Sequence, residues 1–373
     1  MPNRDFNHEN FATMTFVLVV VLSFKTALST AANPPDLQRP PARPPSDAPH
    51  LPSVMEKSGG RTIQTGAEWR MQRERLRRDW MGFLGEFPTH KAPLKTEILQ
   101  TEVAPGFVRQ HIRYQSEAGV FTDGYLLVPK NATGRLPAVV VFHPTTPLQA
   151  KSVAGIASDY PLEKQQGIQL VSRGYAVWCP RNFIFDDDIA VATNSIKAYT
   201  EAARKVLALH PAWKGMTRMI WDGIRAADFL ESLPTIDPGR LGCLGHSLGG
   251  KQAFFVAAFD ERYKAGVASE PGIGLRFSNW EATWYLGAEI RGTGFSLENH
   301  QILALIAPRA FLLLAGDSAD DDKSWTFIDS VAPVYRLLGA PQNLGWFNHH
   351  AGHQYPAEAR SLAESFLDRH LKN

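Results

Sequence analysis

The strongest local signal for chemistry in the chain is Gly245-His246-Ser247-Leu248-Gly249-Gly250. A serine with glycine two residues before and two after it suits a nucleophile at a tight strand-to-helix turn. β-Carbons at Gly245 and Gly249 would collide across that turn. Residues 240–244 are strand-like and residues 251–259 helix-like, which is the context such an elbow demands. The helix N-terminus beneath Ser247 favours the negative charge that develops in acyl transfer. A glycine-rich connection without chemistry has the same composition, so the reading depends on partners elsewhere.

An elbow serine needs a base late in the chain and an acid between the two. His353 is the candidate base, in the stretch His349-His350-Ala351-Gly352-His353 that follows the last strand-like run. His349 and His350 are rivals, as loop polarity or as part of a metal cluster, although no metal is needed once Ser247 is counted. The acid is expected after the strand-like run 309–315, in Gly316-Asp317-Ser318-Ala319-Asp320-Asp321-Asp322. Asp320 is the first choice, Asp317 the second and Asp321 the third. Glu270, just after the run 265–269, is an alternative acid, more naturally a residue that shapes the pocket. The oxyanion donors are expected to be the N–H of Leu248 and that of Thr145 or Thr146, because Pro144 has none.

The elements that must position these groups are legible as texture. From Pro137 onward, apolar runs at 138–142, 175–179, 240–244, 265–269, 310–315 and 345–347 alternate with amphipathic stretches such as 215–233 and 323–338. Uniformly apolar runs suit strands buried on both faces, with helical crossovers between them. Strand-like segments at 95–103, 108–114 and 124–129 predict an antiparallel edge before that sheet. A helix is expected over 68–84.

The 373 residues carry a net charge of +2, with 44% apolar and 20% charged residues. That balance excludes a disordered polyelectrolyte and a polytopic membrane protein, and offers no basis for nucleic-acid binding. Residues 16–24 read FVLVVVLSF and are followed by small residues, so residues 1–32 are expected to be a signal peptide and the protein to be exported. Eight prolines fall between Pro34 and Pro52, which predicts an extended, solvated linker over 33–54 and a single catalytic domain over 55–373.

The chain resembles the α/β-hydrolase superfamily, and within it the branch of acetyl xylan esterase-like and dienelactone hydrolase-like proteins. The carrying residues are His143-Pro144, Gly245 to Gly250, the Asp320 loop, Gly352-His353, the segment 237–242, and Ser278-Asn279-Trp280 with Trp284-Tyr285-Leu286-Gly287. The resemblance implies an α/β-hydrolase fold, a mostly parallel central sheet flanked by helices and bearing lid insertions. It also implies that the strand ending at Phe142 separates those carrying Cys179 and Cys243, beyond disulfide reach. The insertions at 179–215 and 274–294 are read as lids, with His143, Arg181, Trp280 and Trp284 as substrate-binding candidates. Asp186, Asp187 and Asp188 are read as exposed lid charge.

Two departures narrow the reading. Dienelactone hydrolases use a cysteine nucleophile, and glucuronoyl esterases usually carry an arginine after the elbow serine, where this chain has Leu248. The expected function is therefore a cofactor-free serine carboxylester hydrolase acting on small acyl esters, on carbohydrate by resemblance. A serine peptidase on small peptides, a lactone hydrolase and a binding module that kept the scaffold are the alternatives.

Overall fold

The computed structural model describes residues 37–372, except 44, 58, 158, 187–192 and 194. The expected signal segment, and Asp187 and Asp188, lie outside the described residues. Among the described residues the strands form one nine-stranded sheet of order β1-β2-β3-β5-β4-β6-β7-β8-β9. The meander β1 (Glu97–Ala104), β2 (Phe107–Glu117) and β3 (Val120–Pro129) is antiparallel and joins β5 (Ala176–Pro180) antiparallel. From there β5, β4 (Leu136–Phe142), β6 (Ile236–His246), β7 (Tyr263–Ser269), β8 (Ala310–Ala315) and β9 (Leu344–Asn348) run parallel.

The helices are α1 (Gly66–Leu84), α2 (Ala150–Val153), α3 (Gln166–Ser172), α4 (Ile196–Leu207), α5 (Gly215–Glu231), α6 (Leu248–Phe259), α7 (Asn299–Ile306), α8 (Trp325–Leu337) and α9 (Ala357–Leu371). Every residue of β4, β8 and α6 is buried, as the continuous apolar composition of the two strands requires; α6 buries Lys251 and Gln252 along with its apolar residues. The period-2 alternation of a strand divides the sheet's apolar residues between two cores. Val140 and Trp178 join one, while Val139, Val141 and Val177 join the other. Among the described residues, no helix is long and apolar enough to cross a membrane.

Two expectations about the ends and the thiols meet the structure differently. The compact unit begins at Leu37, whose carbonyl accepts a 2.7 Å hydrogen bond from Trp346 N–H on β9. Pro52 accepts from His300 Nε2 at 3.0 Å, and Val54 and Met55 are buried. Over the described part of the expected 33–54 linker the chain has no helix or strand and its residues before Val54 are exposed or half-buried, and these contacts tie it to the domain at its two ends. Cys179 and Cys243 are free and buried on β5 and β6, with β4 between them.

The connection from β6 to α6 is the tightest in the fold. A β-carbon at Gly245 would lie 2.1 Å from the Gly249 carbonyl oxygen, and one at Gly249 would lie 2.0 Å from that of Phe142. Glycine at both positions lets the strand reverse into a helix and lets that helix start press against the end of β4. Gly249→Ala is expected to destabilise the protein by about 3 kcal/mol in urea denaturation, because backbone, not a flexible side chain, must give way. Gly82→Ala in α1, where a methyl group would meet nothing within 4 Å, is expected to stabilise it by about 1 kcal/mol.

Candidate active site

Ser247 sits between β6 and α6 with φ 58° and ψ −120°, a backbone conformation that non-glycine residues rarely hold. Its N–H donates to the Ser269 carbonyl at 2.9 Å, which locks the turn to the end of β7. The next residue on that neighbouring strand is Glu270, itself at φ 49° with its N–H bonded to Leu314 O at 2.8 Å. Two strained residues therefore stand side by side at the C-terminal edge of the sheet.

Glu270 is completely buried, and its Oε2 lies 3.0 Å from His353 Nδ1. The same oxygen accepts the Ala319 N–H at 2.7 Å, while Oε1 has no hydrogen-bond partner among the described residues. A carboxylate can only accept, so His353 donates from Nδ1 and leaves Nε2 as the basic nitrogen. The His353 ring packs 4.7 Å from that of His246, the residue before the nucleophile. His246 does not compete for the proton. Burial, reinforced by the positive field of His353, pushes its imidazole down to about 3, and its Nδ1 is 2.9 Å from Ser269 Oγ.

This arrangement corrects the expected acid. Asp320 is buried, but its carboxylate accepts the N–H groups of Gly272 and Ile273, each at 2.6 Å. It braces the loop that follows Glu270 and makes no contact with His353. Burial pushes the Asp320 carboxyl up, and the Ile273 N–H bond pulls it back. Asp317 is turned to the surface, where it meets His350 Nδ1 at 2.8 Å and Asn348 Nδ2 at 2.7 Å. Asp321 accepts the Lys323 N–H at 2.8 Å as a local cap. Asp317, Asp322 and His350 bring ligand-type atoms within 4.8 Å of one another on this exposed loop, where Asn348 already bonds both carboxylates.

Three substrate-binding candidates prove to be structural. His143 is buried, donates from Nδ1 to Pro144 O at 2.7 Å and accepts the Asn182 N–H at Nε2. Burial pushes it down to about 4, so it is a neutral tie between two loops. Trp280 donates to Gly272 O at 2.8 Å, and Trp284 packs on Phe183 and Tyr285. Both indoles are buried, and Trp280 lies under Lys251, a residue that sequence reasoning passed over. Lys251 Nζ lies 4.1 Å above the Trp280 ring and donates at 2.6 Å to Pro271 O and to Asn279 Oδ1. Burial pushes the Lys251 ammonium down, opposed chiefly by the charge of Asp320. Arg181, in contrast, faces a cavity, paired with Asp123 at 2.6 Å and Asp186 at 2.7 Å.

The N–H of Leu248 is the first of α6 and has no acceptor within the helix. The close approach at Gly249 brings the loop after β4 against this helix start. In that loop Thr146 is held in a turn, with Oγ1 accepting the Leu148 N–H at 3.2 Å, while Thr145 is exposed. The site thus joins a serine at a strained elbow, an imidazole with a fixed tautomer, a buried carboxylate and backbone donors. That set can open a carbonyl compound by nucleophilic attack.

Residues 210–311 match the sequence model of the prolyl oligopeptidase family. The YtaP protein of Bacillus subtilis (strain 168), named as a hydrolase, is 27% identical over 311 residues, covering 81% of this chain and 100% of that protein. The 4-O-methyl-glucuronoyl methylesterase 1 of Sodiomyces alcalophilus is 29% identical over 171 residues, which is 38% of this chain and 34% of that one. A solved glucuronoyl esterase from Solibacter usitatus is similar with a TM-score of 0.68 at 17% identity, over 88% of this chain and 99% of that one. The chain has the α/β-hydrolase fold.

Glu270→Gln is expected to lower kcat on a nitrophenyl ester by about 10³–10⁴-fold, as loss of the orienting carboxylate does in other triads. Asp320→Asn is expected to appear instead as about 1–3 kcal/mol of lost stability, because one backbone N–H loses its acceptor. Stability should also fall in acid. Burial holds His143 and His300 at about 4 and His246 at about 3 in the folded protein. Unfolded, each takes a proton below about pH 6.5. The unfolded state then binds more protons at these three sites, which lowers the unfolding free energy by roughly 4 kcal/mol from pH 7 to pH 5.5, partly offset by the raised carboxyls of Asp320 and Asp186, which take up protons in the folded state. Urea titrations that show no such slope would contradict the buried, neutral imidazoles.

Proposed function

We propose that this chain is a serine hydrolase of carboxylic esters, acting on small acyl groups, chiefly acetyl, carried by carbohydrate. The observation that carries the reading is the 3.0 Å contact between His353 Nδ1 and the buried Glu270 carboxylate, beside the Ser247 elbow. In this mechanism Nε2 of His353 takes the proton as Ser247 Oγ attacks the ester carbonyl. Glu270 accepts the Nδ1–H bond throughout and stabilises the imidazolium. The N–H groups of Leu248 and of Thr145 or Thr146 hold the oxyanion. His353 returns the proton to the leaving alcohol, then activates the water that hydrolyses the acyl-enzyme. Side chains and backbone amides carry every step.

The carbohydrate part of the reading is supported by relatives that are themselves named as carbohydrate or glucuronoyl esterases. Position 248 argues against a glucuronoyl ester as the main substrate. A buried leucine there brings no cation to a uronate. Export through residues 1–32 fits an enzyme whose substrate is a polymer outside the cell, and is part of the proposal.

A peptidase reading is favoured by the family match over residues 210–311. The two are separated by comparing acetylated sugars and nitrophenyl acetate with aminoacyl-nitroanilides. Esters are expected to be cleaved and anilides barely touched. Ser247→Ala should lose about 10⁶-fold in kcat. Ester turnover that survives this substitution would sink the mechanism.

A further inference from the structure

Beside the reactive edge lies a cavity of about 570 Å³ that the mechanism does not use. Its floor is one face of the antiparallel meander, with Arg109 and His111 on β2, Asp123 and Tyr125 on β3, and Glu102 on β1. Further along, the same face is apolar and packed, for Leu127 and Val177 belong to the core on this side. The change from apolar to polar follows alternate residues of three strands. Gln149 and Lys151, just beyond the loop that precedes α2, form one wall, and Arg181 forms another.

These polar groups are not an ordinary wet surface. Arg109 is 8% exposed, bonds the carbonyls of Ala154 and Gly155, and pairs with Glu102 at 2.6 Å. Asp123 joins Arg181 at 2.6 Å and His111 at 2.7 Å, and Arg181 also meets Asp186. Holding Arg109, His111, Asp123 and Arg181 buried or half-buried is unfavourable unless they are paired, and here they are. Among the described residues, Lys151 alone of the cavity's cations has no ion-pair partner. The result is a nearly neutral surface, rich in oriented donors and acceptors, with little charge left over for an anion.

Amid it the rings of Tyr125 and His111 stack at 4.7 Å with 21° between their planes. A sugar ring presents C–H groups on its faces and hydroxyls at its rim. An aromatic platform ringed by fixed arginine, carboxylate and amide groups meets both requirements at once.

The cavity's position suits a second contact on one ligand. Tyr125 pairs with Cys179 at the end of β5, so this part of β3 lies at the same sheet edge as Ser247. From β3 to β6 there are three strand spacings, roughly 14 Å. The loop after β4, expected to supply an oxyanion donor, runs between them.

We propose that this cavity is a saccharide subsite that holds a neutral sugar unit of the carbohydrate whose ester reaches Ser247. The link to Ser247 rests on the carbohydrate-ester reading above, but sugar binding in the cavity does not. Calorimetry with Ser247→Ala and unacetylated xylotetraose, cellotetraose or inorganic phosphate tests the site apart from catalysis. At least one tetrasaccharide is expected to bind. Adding Tyr125→Ala should weaken it by about tenfold or more, equivalent to about 1.4 kcal/mol, and Lys151→Ala by less. Tyr125→Ala in the active enzyme should keep its nitrophenyl acetate turnover, which also reports that it folds.

If neither tetrasaccharide binds, if Tyr125→Ala leaves binding unchanged, or if phosphate alone binds, the subsite is overturned. If a tetrasaccharide binds through Tyr125 but acetylated sugars are not hydrolysed, the subsite stands and the proposed substrate fails.

Discussion

One hydrogen bond, from Ser247 N–H to Ser269 O, holds the reactive geometry together. It joins a nucleophile on an unfavourable backbone to the end of the neighbouring parallel strand. Because Glu270 follows Ser269 directly, fixing Ser247 against that carbonyl also fixes the carboxylate that faces His353. The glycines at 245 and 249 permit the approach, and the buried strand pairs on either side keep it from relaxing. Strain at two non-glycine residues persists because the surrounding sheet over-determines their positions.

Around that bond the protein manages buried charge by division of labour. Glu270 and Asp320 are both wholly buried, yet they serve different partners. Glu270 takes the imidazole and one loop N–H, while Asp320 takes the two N–H groups that shape the loop after Glu270. Lys251 lies in the same interior, its ammonium capped by two oxygens and an indole face. His246 is desolvated, and burial keeps its imidazole neutral beside His353. Each group has its own local partners, and only Glu270 Oε1 among these carboxylate oxygens is left without one among the described residues.

The parallel strands and the antiparallel meander contribute different things to one edge. The parallel half aims the catalytic groups from strand ends, where helices cover both faces of the sheet. The meander is left uncovered on part of one face, and there its alternating residues become polar and form a walled cavity. The Ser247 elbow and this cavity are thereby carried on one sheet, and their separation is set by strand spacing.

The turn at Ser247, the placement of His353 in a loop before the terminal helix and most strands were legible along the chain because their signals are local. Glycine at 245 and 249, a buried apolar run before Ser247 and a histidine in a loop before the terminal helix all report on near neighbours in sequence. The acid was not legible in this way. Asp320 and Glu270 both follow buried strands, and nothing local says which carboxylate turns to His353. The choice is made by backbone N–H groups from distant segments, with Gly272 and Ile273 claiming Asp320 and Ala319 helping to hold Glu270. The same holds for Trp280 and Trp284, whose aromatic character suggested a sugar platform, whereas packing sets Trp280 under a buried lysine and Trp284 against Phe183 and Tyr285. Composition and spacing determined the scaffold and the tight turn that carries Ser247. Which polar groups face each other was decided only by the tertiary structure, because a hydrogen bond depends on where its partner ends up in space.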